Sequence, residues 1–184
     1  MFSLTKPTRD TFKRFLDRSN GDSLSYADVG STLAELPRNY TIDHNRCELG
    51  IGDETFESAK EAIDNWEMFN IGWIELYDDR APIINGQTIA LLIKHFGFYS
   101  LNATRIVYTI NEPNRYGFAY GTLTQHGEIG EERFLVELED RTGKVYYDIL
   151  AFSRPGHFLA KIGYPLTRML QKHFAKDSMQ AMKL

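Results

Sequence analysis

The sequence predicts an α+β fold in which a curved antiparallel β-sheet of about six or seven strands wraps around a long C-terminal helix. β-rich stretches follow one another through the middle of the chain, and Phe134–Glu139 alternates apolar with mostly charged side chains. Beyond Gly156, apolar residues recur at the spacing of one helix face. At 184 residues the chain is long enough for one domain with a hydrophobic core and short for two.

Composition and charge narrow the classes of function. Hydrophobic residues make up 42% and aromatic residues 13% of the chain, as in a folded globular protein. The net charge is −4 and Lys and Arg form no cluster, so we expect no nucleic-acid partner. No apolar run is long enough to span a membrane. The lone cysteine, Cys47, cannot form an internal disulfide, which fits a reducing compartment, and we expect a cytoplasmic protein.

The N-terminal part of the chain is predicted to contain a short helix. Pro7–Arg18 has its apolar residues at helical spacing, with Thr5 or Thr8 as the N-cap. We therefore expect residues 1–38 to form a helical extension that packs on the domain, and residues 39–184 to form the single domain.

A second helix is predicted at Asp53–Phe69, which carries an apolar stripe and begins with Asp53 as its N-cap. Pro165 is expected to kink the C-terminal helix or to restart it with Pro165 in the first turn. The predicted strands are Asn39–Ile51 at a sheet edge, Trp73–Tyr77, Gln87–Phe96, Thr104–Ile110, Tyr116–Thr122, Phe134–Glu139 and Lys144–Phe152.

The strand Tyr116–Thr122 has two different faces. One face carries aromatic and hydroxyl side chains, whereas the other consists of Gly117, Ala119 and Gly121. A face with almost no side chains lets another group approach the backbone closely, and glycine also lets the sheet bend.

Two adjacent glutamates follow this strand, and the alternation places them on opposite faces. Extending the pattern back from Phe134 puts Glu132 on the inward face, while Glu131 points outward. A carboxylate on a core face needs a hydrogen-bond or charge partner, and Arg154 is the expected one. Two interpretations follow: an ion pair that joins two strands, or a role in ligand binding or acid/base chemistry.

A group of short motifs resembles a known family. The motifs are Leu49-Gly50-Ile51-Gly52, the Phe56–Trp66 helix, Gly72-Trp73, Phe118–Leu123, His126, Gly130–Glu132 with Phe134, and Phe152–Pro155. Over residues 39–171 the chain resembles the UPF0548 family (DUF1990), a domain-of-unknown-function family found in bacteria and plants. That family is similar to the START-like, or Bet v 1-like, helix-grip superfamily. The resemblance implies a curved sheet around a long C-terminal helix, enclosing an apolar pocket.

The first functional hypothesis is a binding protein. An apolar or amphipathic small molecule would lie between sheet and helix, held by aromatic side chains, with Glu132 or Arg154 orienting its polar end. This hypothesis requires a continuous cavity of several hundred cubic ångströms. The candidate ligand-binding residues are Tyr120, Thr122, His126, Glu132 and Arg154.

Two further hypotheses remain open. An enzyme, hydrolase-, lyase- or cyclase-like, would use His126 or Glu132 as acid or base and Tyr120 as a hydrogen-bond donor. Alternatively, side chains fill the interior and the protein acts through its surface. His126, Glu128 and Glu132 are donor types that suit divalent ions, but the signal is weak, and neither a metal site nor a cofactor is predicted. No catalytic residue is assigned.

Overall fold

A computed structural model describes residues 1–124, 126–156 and 164–183. Its strands are β1 (Phe2–Ser3), β2 (Thr41–Ile51), β3 (Ile74–Leu76), β4 (Thr88–Lys94), β5 (Tyr99–Glu112), β6 (Arg115–Thr122), β7 (Glu128–Leu138) and β8 (Lys144–Pro155). Its helices are α1 (Arg9–Ser19), α2 (Asp53–Asp64) and α3 (Tyr164–Ala181), with 3-10 turns at Ser31–Leu33 and Glu67–Phe69. The early part of the predicted C-terminal helix, Phe158–Ile162, lies outside the described residues.

The strands form one antiparallel sheet in the order β2-β8-β7-β6-β5-β4-β3. β1 pairs with the first residues of β5, next to the point where the pairing of β6 with β5 begins at Thr104. β2 occupies one edge, as predicted for Asn39–Ile51. The curved sheet and its C-terminal helix confirm the predicted helix-grip layout, and the described part of that helix begins at Tyr164, with Pro165 in its first turn.

The concave face of the sheet holds the main core. α2 turns its apolar stripe towards the sheet, and Trp66, Phe69, Phe118 and Phe134 pack together there with Phe174 of α3. The Trp66 indole N–H donates to the carbonyl of Ala81 at 3.0 Å, so its one polar group is satisfied.

The predicted helix Asp53–Phe69 was too long and its cap was wrong. Gly52, at φ 89°, occupies the N-cap position and Asp53 is the first residue of α2. Trp66 adopts a left-handed conformation, φ 58°, which ends the helix and restarts the chain as the 3-10 turn Glu67–Phe69. This turn brings Phe69 beneath the sheet, where its packing offsets the strained backbone at Trp66.

α1 lies against the convex face. Thr8 is its N-cap and accepts a hydrogen bond from the Thr11 N–H at 3.2 Å, as expected. Phe12 and Phe15 pack on Leu92 and Leu101 in a second apolar cluster. The division of the chain at residue 38 stays a prediction.

Residues 23–40 cover the part of the convex face that the sequence predicted to be bare. Tyr26 lies directly on Gly121, where an added Cβ would come within 2.2 Å of the Tyr26 hydroxyl oxygen. Tyr26 and Tyr40 both pack edge-on against Phe152. The group expected to approach the glycine face is therefore a segment of the chain itself.

This covering segment also changes the surroundings of Glu131. Glu131 is on the convex face, as predicted, but it is only 2% exposed. Its carboxylate accepts hydrogen bonds from the Tyr26 hydroxyl and the Gly30 N–H, both at 2.7 Å, and from the N–H and hydroxyl of Thr32. These donors offset the cost of burying the charge.

Replacing Gly121 by alanine tests this packing. We expect G121A to destabilise the protein by roughly 1–3 kcal/mol, because the new methyl group displaces Tyr26 and strains its bond to Glu131. In a Y26A background the same change should cost much less, which urea unfolding of the four proteins in the cycle measures. Gly72 has no atom within 4 Å of an added Cβ and provides the control G72A. Equal costs in both backgrounds would contradict the proposed contact.

Candidate functional site

A polar row crosses the concave face. Tyr120 pairs with Glu132, Glu132 with Ala151, and Ala151 with Asp43, so the four residues lie side by side on β6, β7, β8 and β2. Directly paired residues share a face, and this face is the one that α3 covers. Ala151 presents only a methyl group, which leaves room between the two carboxyl groups. The next row, Phe118, Phe134 and Ile149, is apolar.

Tyr120 and Glu132 form the centre of the site. The Tyr120 hydroxyl donates to Glu132 Oε2 at 2.7 Å. Burial raises the pKa of Glu132 to about 7, although the bond from Tyr120 acts in the opposite direction. Burial and the nearby carboxylate also raise the pKa of Tyr120 well above its ordinary value, so its hydroxyl stays protonated. The pair thus offers a fixed donor beside a carboxyl group that changes charge near neutral pH.

Glu128 is a second carboxyl group on the same face of β7. Gln171 of α3 donates to its Oε2 and also to the Ser153 hydroxyl at 3.1 Å. Burial raises the pKa of Glu128 to about 7, against the opposing effects of Gln171 and Arg168. Its other oxygen, Oε1, is buried and has no hydrogen-bond partner among the described residues. A buried acceptor without a donor is costly and calls for an explanation.

Arg168, the described positive charge that acts on Glu128, is already paired. Arg168 of α3 donates through both terminal nitrogens to the two carboxylate oxygens of Asp43, the two-bond geometry that arginine favours. Arg168 also donates to Gln171 at 2.6 Å. Arg168 therefore pairs directly with Asp43. Its charge lowers the pKa of Glu128 by less than burial raises it.

Two half-buried carboxyl groups mark the polar end of the concave face. Glu128 and Glu132 lie deep enough for burial to dominate their pKa values, yet each keeps part of its surface accessible. The opposite end is filled by Trp66, Phe69 and their neighbours. A cavity of about 200 Å³ lies elsewhere, beside α1, and is lined by Lys6, Pro7, Arg9, Phe12, Glu75 and Tyr77. That cavity does not fulfil the prediction of a large pocket between sheet and C-terminal helix.

The other predicted site residues lie at the edges of this cluster. His126 accepts a hydrogen bond from the Glu128 N–H at 3.0 Å, and burial lowers its pKa to about 4, so it is neutral at pH 7. Thr122 bonds both backbone groups of Gly130 and contacts the Ser25 hydroxyl, which ties β6 to β7 and to the covering segment.

The predicted ion pair between Glu132 and Arg154 was wrong. Side chains alternate along β8, and Arg154 lies opposite Ile129 on the convex face, whereas Glu132 is on the concave face. The Arg154 guanidinium lies 4.6 Å from the centre of the Tyr40 ring, in a cation–π contact. Glu132 is therefore bonded to the Tyr120 hydroxyl and not to Arg154.

Sequence reasoning did not assign four members of the cluster: Asp43, Glu128, Arg168 and Gln171. The strand alternation that placed Glu132 inward also places Glu128 inward, so that residue was within reach. The other three depend on strand register and helix rotation across 125 residues, which no local pattern encodes. Among the described residues, no group of three or more His, Cys, Asp or Glu side chains is arranged to hold a metal ion.

Comparison with known proteins agrees with this architecture. Within the described part of the chain, no helix has the length and apolar character needed to cross a membrane. Among solved structures, a norcoclaurine synthase point mutant from Thalictrum flavum is 11% identical, with a TM-score of 0.52 over 80% of this chain and 97% of that one. Hypothetical protein jhp0584 from Helicobacter pylori is 13% identical, with a TM-score of 0.52 over 89% and 97%. At these identities the likeness establishes the fold.

Sequence relatives are much closer. A UPF0548 protein of Dictyostelium discoideum is 32% identical and covers 99% of this chain and 94% of its own length. A UPF0548 protein of Deinococcus radiodurans is 34% identical over 96% and 94%. The family model described as "Domain of unknown function (DUF1990)" matches residues 25–181. The chain therefore belongs to the DUF1990 family, together with these UPF0548 proteins.

Proposed function

We propose that this protein binds an apolar or amphipathic small molecule between the concave face of the sheet and α3, with Tyr120 and Glu132 at its polar end. The observation that carries the proposal is the surroundings of Glu132. Its carboxyl group has one donor among the described residues, a pKa of about 7 and remaining accessible surface. Because its burial is costly when it is ionised, the Glu132 carboxyl group destabilises the fold at neutral pH. A contact with a ligand would give this group a function that offsets the cost.

The concave face changes from polar to apolar along the strands. The row containing Glu132 is polar, and the neighbouring row of Phe118, Phe134 and Ile149 is apolar. An amphipathic molecule matches this order, with its polar group at Glu132 and its apolar part against the half-buried ring of Phe174, which packs on Phe134. The filled-interior hypothesis accounts for the end of the core around Trp66 and leaves the polar end unexplained.

An enzyme that uses the same site is the second candidate, of a hydrolase-, lyase- or cyclase-like kind. The pKa values of about 7 for Glu128 and Glu132 favour it, because a general acid or base works best near the operating pH. His126 is less suited, since a pKa of about 4 makes it a weak base at pH 7. The norcoclaurine synthase structure holds a transition state analogue, an example of this fold with a bound small molecule. A cytoplasmic location also stays part of the proposal.

Filling the space beside Glu132 should block binding. Ala151 lies between Glu132 and Asp43 on the concave face, so A151F places a ring where the ligand's polar end would sit. With the neutral dye Nile red as the probe, we expect a fluorescence increase on binding to the unchanged protein and an affinity at least about tenfold weaker for A151F. Leu150 is the adjacent residue on the opposite face, and L150F is the matched control. Equal binding by both variants, with thermal unfolding showing both folded, would contradict the proposal.

The pH dependence of stability should reveal the cost of Glu132. Its pKa is raised from 4.5 to about 7 on folding, so between those values the folded state holds more protons than the unfolded state. Its contribution to stability is therefore greatest below about pH 4.5 and is lost as the pH rises through 7. We expect E132Q, which keeps an acceptor for Tyr120, to be more stable than the unchanged protein at pH 8 by on the order of 1–3 kcal/mol.

Urea unfolding across pH 4.5 to 8 measures this difference, and the adjacent glutamate provides the contrast. E131Q replaces one carboxylate oxygen by an NH₂ group, which cannot accept from the backbone N–H groups that bond to Glu131. We therefore expect it to destabilise the protein by roughly 2–4 kcal/mol at pH 8. A structural role for Glu132 would instead make both variants less stable than the unchanged protein at pH 8.

A further inference from the structure

The polar groups at the polar end of the concave face indicate the kind of ligand that would bind there. We propose that the polar end of the ligand is a protonated amine, held by the carboxylates of Glu132 and Glu128. This inference rests on the proposed binding function and specifies the chemical class of the ligand. It follows from three features of the site: carboxylate oxygens without a described donor, the pairing of Arg168 with Asp43, and aromatic rings beside the carboxyl groups.

The unused hydrogen-bonding capacity at this end consists of acceptors. Glu128 Oε1 is buried without a partner among the described residues, and the described hydrogen bond of Glu132 uses only its Oε2. The nearby hydroxyl and amide donors, Tyr120 and Gln171, are already committed to these same carboxyl groups. A ligand that satisfies the site must therefore bring N–H or O–H donors, and an ammonium group brings three together with a positive charge.

The charges around the site favour a cation over an anion. Glu128 and Asp43 both raise the pKa of Glu132, and among the described residues no cation contributes to the shift. Arg168 donates to both oxygens of Asp43 through its two terminal nitrogens. An anionic head group would face two carboxyl groups in a site of low polarity, whereas a cation would compensate them.

The separation of the two carboxyl groups suits an extended polar end. Glu128 and Glu132 are four residues apart on one strand, which places their Cα atoms on the order of 13 Å apart. Glu132 lies beside the apolar rows, so it would contact the ammonium group directly. Glu128, nearer the beginning of β7, would attract the cation and accept from any further donor on the ligand.

Aromatic rings lie beside the carboxyl groups: Tyr120 is 8% exposed and Phe174 is half-buried, whereas Phe134 is fully buried behind them. The ring centroids of Tyr120 and Phe134 are 5.3 Å apart, and Phe174 of α3 lies 6.3 Å from Phe134. Aromatic faces attract ammonium groups in a site shielded from water, and they also receive the apolar part of the molecule. Carboxylate and aromatic groups together are a suitable environment for an amine with an apolar body.

A matched series of probes tests the charge preference. Octylammonium, octan-1-ol and octanoate share one alkyl chain and differ in the charge of the polar group, and calorimetric titration at pH 8 compares their affinities. We expect octylammonium to bind at least about tenfold more tightly than octan-1-ol, and octanoate to bind most weakly. E132Q should reduce octylammonium binding to the level of octan-1-ol and leave the alcohol unaffected, while E128Q should give a smaller loss.

The outcomes separate this inference from the binding function on which it rests. Equal affinities for the three probes, or tightest binding of octanoate, would overturn the amine assignment while the binding function stood. Binding of Nile red without binding of octylammonium would also overturn the amine assignment and leave the binding function standing. If neither the dye nor any of the three probes binds the folded protein, both proposals fail. Unfolding curves of E132Q and E128Q establish that a loss of affinity is not a loss of folding.

Discussion

The bonds to the Glu131 carboxylate hold together the convex side of the protein. Because this side chain is only 2% exposed, its charge requires donors, and Tyr26, Gly30 and Thr32 supply them from a segment about one hundred residues away in sequence. Other features follow from this attachment. Gly121 must lack a side chain to admit Tyr26, and Arg133 reaches both the Thr32 carbonyl and the Asp148 carboxylate beneath the segment. The chain thereby closes its own convex face.

The adjacent Glu132 has fewer described hydrogen bonds than Glu131. Glu131 and Glu132 have identical side chains and point in opposite directions, yet one accepts four hydrogen bonds and the other a single described one. The difference lies in the surroundings: the N-terminal segment supplies four donors to Glu131, whereas Tyr120 supplies the one described donor to Glu132. The proposed binding function rests on this difference: four hydrogen bonds satisfy the Glu131 carboxylate, whereas burial leaves the pKa of Glu132 at about 7.

The sequence predicted what depends on local periodicity. Alternation from Phe134 placed Glu132 inward, and the glycine-rich face of β6 indicated a close approach. It could not identify Tyr26 as the approaching group, because contacts between distant segments depend on the whole fold. Arg154 was misplaced for a related reason. Both faces of β8 are largely apolar, since Phe152 is covered by Tyr26 and Tyr40, so hydrophobicity alone does not fix the phase of that strand.

The binding and enzyme proposals share one physical requirement at Glu132. To hold a cation, the carboxyl group must be ionised, and an ammonium group beside it would lower its pKa and favour that state. To act as a general base, it must also begin ionised, and it then takes a proton from the ligand, which its burial favours. A protonated amine thus stabilises the ionised form, while a neutral ligand leaves the carboxyl group free to exchange a proton. The charge of the bound molecule therefore decides which of the two kinds of chemistry the site supports.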